Sequence, residues 1–176
     1  SLGKIDKDII YREYYASIYW SLLYFVTEIF PTKYQIEVSH LINLIFSLGV
    51  VFGIGKVSKE LFNKKVGKII FIILFFYPVF FGHMSINNKD TILAFSHVWI
   101  IYLILRYLKK QSIIEKANKY TISLGLLAAL STGIQLIFLG SQIPIILFVL
   151  IEIFLLKKII NKHFSKKKFL YDLIKC

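Results

Sequence analysis

FFYPVFFGHMSINNKDTILAF, residues 75–95, decides the fold. One very apolar run breaks at Pro78 and Gly82, and a second begins after Asp90. Between them lies a polar island, His83 to Asp90. The flanking runs are long enough to cross a bilayer, so the island is expected at one membrane surface, fixed there by two helices.

The whole chain supports that reading. Its 176 residues are 57% apolar and 16% aromatic, with a mean hydropathy of +0.67. A soluble domain of this size has too little polar surface to cover such a composition. Nearly uncharged stretches recur, each close to the roughly 20 residues that span about 30 Å of hydrocarbon. Because lipid offers no hydrogen-bond partners to the backbone, the expected fold is all-α, a polytopic membrane helix bundle. Five spans are expected, over 39–56, 66–82, 91–108, 120–138 and 143–157, inside a membrane domain covering 39–159.

Charge gives the orientation. Of 22 Lys and Arg, five lie in 56–68, five in 106–119 and seven in 157–175. Each cluster falls in an alternate connection between spans, which is the positive-inside pattern and weighs against a nucleic-acid partner. With those loops and a basic tail, 160–176, in the cytoplasm, three segments lie outside. They are the N-terminal loop 1–38, the island 83–90 and the turn 139–143. Loop 1–38 is the only region where acids outnumber bases. Within it Ile9 to Phe30, dense in Tyr and Trp, reads as an interfacial helix, a further span being the alternative. The sequence has neither an initiator Met nor a signal-peptide layout, and its one cysteine, Cys176, is terminal, so a piece of a longer chain is expected.

The island carries the candidate chemistry. Asn88 and Asp90 suit the cap of a helix beginning near Thr91. Lys89 and the positive end of that helix attract a phosphate group. The oxygens of Asp90 suit a divalent cation or an acceptor hydroxyl. Asp90 and His97 are two turns apart on one face, about 10 Å along the axis, too far for one metal. His83 is close enough in sequence to converge with Asp90. Ordinary hydrogen bonding is the favoured reading of His83, His97, His40 and His163. Glu152, inside the last span, is expected to snorkel or pair near Lys157. In the N-terminal loop Asp6, Asp8 and Glu13 are candidate general bases, with a solvated loop start as the bland alternative. Gly49, Gly53 and Ser47 offer a small-residue face for close helix packing.

No nucleophile elbow, phosphate-binding loop or Cys/His metal spacing is present. The run from Gly55 to Gly67, then a span ending in YPVFFGH at 77–83, then NNKD at 87–90 opening another span, resembles membrane glycosyltransferases of the type C (GT-C) fold. The likeness is to the bacterial group related to protein mannosyltransferases and to aminoarabinose and Rgt-type lipopolysaccharide sugar transferases. Residues 125–135, GLLAALSTGIQ, resemble the fifth span of that group. The resemblance implies sugar transfer from a polyprenyl-phosphate carrier to a lipid, glycan or protein acceptor, on the outer face of a bacterial inner membrane. It implies a catalytic acid in the first outer loop, matched in position by Asp6 or Asp8. It implies an acid near the donor phosphate in the second, matched by Asp90 beside Lys89, with His83 and Asn88 as further substrate contacts. It requires no certain cofactor; a divalent cation would sit at Asp90. The first span of the group is absent here, and Gln135 stands where relatives often carry a basic residue. The rival reading is a non-enzymatic bundle, a transporter or a structural subunit of a complex.

Overall fold

A computed structural model describes residues 17–78, 80, 88–161 and 163–175. Among them the fold is an all-α helical bundle with no strand. Helix α1 covers Ser17–Thr27, and α2, Gln35–Leu61, follows a single turn at Thr32–Tyr34. Next come α3, Lys64–Phe76, α4, Asn88–Lys110, and α5, Ile114–Ile134. A short α6, Phe138–Ser141, leads into α7, Ile143–Ile151, which continues as a π-helical turn, Glu152–Leu156. The last helix is α8, Lys166–Lys175. Three helical stretches are long and apolar enough to cross a membrane: Gln35–Leu61, Asp90–Lys110 and Phe138–Leu156. Large apolar side chains such as Phe52, Phe76, Leu126 and Leu155 point outward, as in a chain whose solvent is lipid.

Helix α4 is the hub. Phe46 of α2 meets Phe95 of α4, and Glu60 of α2 meets Arg106 and Lys109 of α4, so the two helices run parallel. Helix α3 returns antiparallel along α2, with Gly67 against Gly55. Helix α5 runs antiparallel to α4: Ala117 packs with Tyr107 and Leu108 at one end, Ile134 with Ile92 at the other. Helix α7 is again parallel to α4, its Val149 packing in the cluster of Tyr107 and Leu108.

Small residues on α2 set the spacing, as the positions of Gly49 and Gly53 predict. A Cβ at Gly49 would lie 2.5 Å from the Phe95 ring, and one at Gly53 2.6 Å from Val98. The close approach lets the Trp99 indole N–H donate to the Gly49 carbonyl at 3.1 Å. The sequence places loops over 56–68 and 106–119, but the structure carries helix through most of both. Helix α2 continues to Leu61 and α3 begins at Lys64, after Asn63 caps it by accepting from the Val66 N–H at 3.0 Å. Lysine stems lie along a helix end without breaking it; Lys56 sits over the rings of Trp99 and Tyr102, 5.1 and 5.5 Å from their centroids.

At the same end Glu60 accepts from Arg106 at 2.9 Å and from Lys109 at 2.8 Å. Glu152 is buried, and it neither snorkels nor pairs with Lys157. The chain turns back through Lys157, whose φ is 52°, and the carboxylate accepts the backbone N–H groups of Ile159 and, at 3.3 Å, Ile160. The tail is likewise not free: Asp172 of α8 accepts from the Tyr107 hydroxyl at 2.6 Å. All three basic clusters therefore gather at one end of the bundle, and α1 lies at the other, with Tyr19 buried against Ile92 and Ile134.

The tightest backbone contact is Gly67 on Gly55, where a Cβ would stand 2.7 Å from the Gly55 carbonyl oxygen. Gly67→Ala is expected to cost about 1–3 kcal/mol, read as a lower Tm of the purified protein in detergent. Gly140→Ala, with open space around the added methyl, should leave Tm unchanged or slightly raised.

Candidate functional site

The end opposite the basic clusters is built by α1, the start of α4, the end of α5 and the segment 135–142. Helix α4 begins at Asn88, three residues earlier than the sequence suggests, so Asp90 lies inside the first turn and does not cap a helix starting at Thr91. A carboxylate is favoured there by the positive end of the helix. Thr91 and Ile92 are buried and Asp90 is exposed, so the helix turns its inner face to the bundle and presents the carboxylate at the rim. Asn88 and Lys89 open the same turn. Tyr19 packs on Ile92 and lies beside the buried Asn43, and Ile18 fills the space above Gly133. The start of α1 thus packs beside the first turn of α4. Asp6, Asp8 and His83 lie outside the described residues. Among the described residues no three His, Cys, Asp or Glu side chains converge on a metal site, at Asp90 or elsewhere.

Two turns below Asp90, His97 is half-buried and fully engaged. Its Nε2 is 3.0 Å from Ser141 Oγ, its Nδ1 3.0 Å from Gln142 Nε2, and its ring 4.5 Å from that of Phe138. Ser141 donates its own proton to the Phe138 carbonyl at 2.6 Å. The serine must then accept from His97, which fixes the neutral tautomer with the proton on Nε2, while Nδ1 accepts from the Gln142 amide. The histidine therefore makes ordinary hydrogen bonds, as the spacing argument favours, and it pins the 138–142 segment onto α4. Its partners escaped the sequence reading: Gly140-Ser-Gln reads only as a hairpin turn, and nothing local points 44 residues back to His97.

Below His97 a cleft of about 270 Å³ separates α4 from α7, lined by Ile101, Ile104, Leu105, Pro144, Ile145 and Phe148. A transport path needs polar groups at mid-membrane; every residue lining this cleft is apolar.

A family model described as dolichyl-phosphate-mannose-protein mannosyltransferase matches residues 18–174, nearly the whole described chain. The chain belongs to that family. No curated protein and no solved structure matches it. Family membership makes the protein an integral membrane glycosyltransferase of the mannosyltransferase kind, with a sugar donor and an acceptor as its substrates. The match starts at the second residue of α1 and ends inside α8, so it takes in both ends of the bundle.

Removing the imidazole tests the pin. His97→Ala is expected to speed amide hydrogen exchange across 138–142 about tenfold or more, because two side-chain hydrogen bonds are lost together. Exchange unchanged from the parent protein would contradict the role given to His97.

Proposed function

We propose that the protein takes a sugar from a polyprenyl-phosphate carrier and attaches it to a lipid, glycan or protein acceptor at the extracytoplasmic face of a bacterial inner membrane. The observation that carries this reading is the exposed Asp90 in the first turn of α4, at the end of the bundle away from every basic cluster and beside α1. By the positive-inside rule the basic end is cytoplasmic and the α1 end is outside. The five-span arrangement, with α3 and α5 crossing alongside the three stretches Gln35–Leu61, Asp90–Lys110 and Phe138–Leu156, fits the same orientation.

In this reaction the bond broken is that between the anomeric carbon and the phosphate oxygen. The bond formed joins the anomeric carbon to the acceptor oxygen, with inversion. Asp6 or Asp8 takes the acceptor proton as general base, and polyprenyl phosphate departs with the bonding electrons. Charge accumulates on the phosphate as it leaves. Lys89 and the positive end of the α4 dipole are suited to hold that charge where it develops. His83 and Asn88 complete the contacts to the donor. Asp90 orients the acceptor hydroxyl, or holds a divalent cation against the phosphate; the cation would supply further charge neutralisation.

Asp90→Asn and Lys89→Ala should each lower sugar transfer by membranes carrying the protein at least about tenfold, with protein levels unchanged. Wild-type transfer in both variants would overturn the assignment.

A further inference from the structure

Helix α8 is amphipathic in an inverted sense. Its inward face holds the polar anchors: Asp172 accepts from Tyr107, the Lys168 ammonium donates to the Gln111 carbonyl at 3.0 Å, and Phe169 packs between Tyr107 and Phe164. The Ser165 N–H, just before the helix, donates to Gln111 Oε1 at 2.7 Å. Its outward face is mainly aliphatic, with Leu170 60% exposed, Leu173 59% and Ile174 81%, and the exposed Tyr171 stands at its edge. Exposed Lys166 and Lys167 stand at its start, and Lys166 lies 4.6 Å from the ring of Phe154, at the end of the last long apolar stretch, next to exposed Lys157 and Lys158.

The pairing fixes depth as well as contact. Lys168 meets Gln111 and Asp172 meets Tyr107, so α8 runs antiparallel to the last turn of α4. Leu170 to Ile174 are thereby carried back to the level of Tyr107, one turn inside Lys110, where a spanning helix leaves the hydrocarbon. The four lysines stay at the level of the headgroups. We propose that this face, the aliphatic side of α8 ringed by Lys157, Lys158, Lys166 and Lys167, is a binding surface for anionic phospholipid. The acyl chains cover Leu170, Leu173 and Ile174, and the lysines meet the phosphates. A basic rim around an aliphatic centre at the hydrocarbon edge is the chemistry of an interfacial helix on an acidic leaflet. A second copy of the chain is disfavoured as the occupant, because a symmetric pairing through this face sets the four lysines against their equals.

The surface is tested in the full chain. Cys176→Ser removes the only thiol, and Ile174→Cys then carries a fluorophore at the centre of the face. The labelled protein is placed in nanodiscs of phosphatidylcholine and phosphatidylglycerol doped with an energy acceptor on one lipid or the other. Transfer to labelled phosphatidylglycerol should exceed transfer to labelled phosphatidylcholine. Lys166→Gln and Lys167→Gln, both at exposed positions, should each reduce that preference by up to about fivefold. Equal transfer to the two lipids, or a preference unchanged in the glutamine variants, would overturn the proposal. Transfer between labelled chains that grows with protein concentration would assign the face to a second copy and overturn it equally.

Discussion

The close packing of α2 on α4 is the constraint on which the rest depends. In lipid, helices gain nothing from burying apolar surface against each other, so they hold together only where their surfaces fit. Gly49 and Gly53 supply that fit by admitting Phe95, Val98 and Trp99, and the Trp99 indole adds a hydrogen bond to the α2 backbone. Once α2 and α4 are parallel neighbours, the short α2–α3 connection sends α3 back along α2, and α5 back along α4. The chain ends then follow: the first turn of α4 shares one end with α1, and every lysine-rich segment shares the other.

The two ends of the bundle are chemically opposite. At the basic end three polar side chains are held by partners within the bundle. Glu60 is held by two cations, Glu152 by two backbone amides, and Gln111 by Tyr107 and Ser165. At the α1 end His97, Ser141 and Gln142 form a closed hydrogen-bonded set, while Asp90 stands exposed above them.

Much of this was legible in the sequence. Apolar runs with few charges point to the membrane bundle, Gly49 and Gly53 to the close fit of α2 on α4, and lysine clusters in alternate connections to one end; the Gly67–Gly55 contact is not among them. Helix ends were less legible. Composition cannot separate the last charged turn of a helix from a loop, so Lys56, Lys59, Lys64 and Lys65 read as loop residues although the backbone there is helical. Asp90 read as a cap because a carboxylate is favoured both at the cap and within the first turn. Pairings across the bundle were not legible at all: Tyr107 with Asp172 spans 65 residues, and Asp172 sits in a lysine-rich tail that looks solvated when read alone.

The proposed function rests on one step, the departure of sugar from a polyprenyl-phosphate carrier. Its most direct measurement follows the carrier. The purified protein, reconstituted in vesicles with its acceptor, is given either a polyprenyl-phosphate sugar or the corresponding nucleotide sugar, and free polyprenyl phosphate is quantified alongside glycosylated product. One polyprenyl phosphate should be released per sugar transferred, with no transfer from the nucleotide sugar alone. Transfer from the nucleotide sugar with no polyprenyl phosphate released would contradict it.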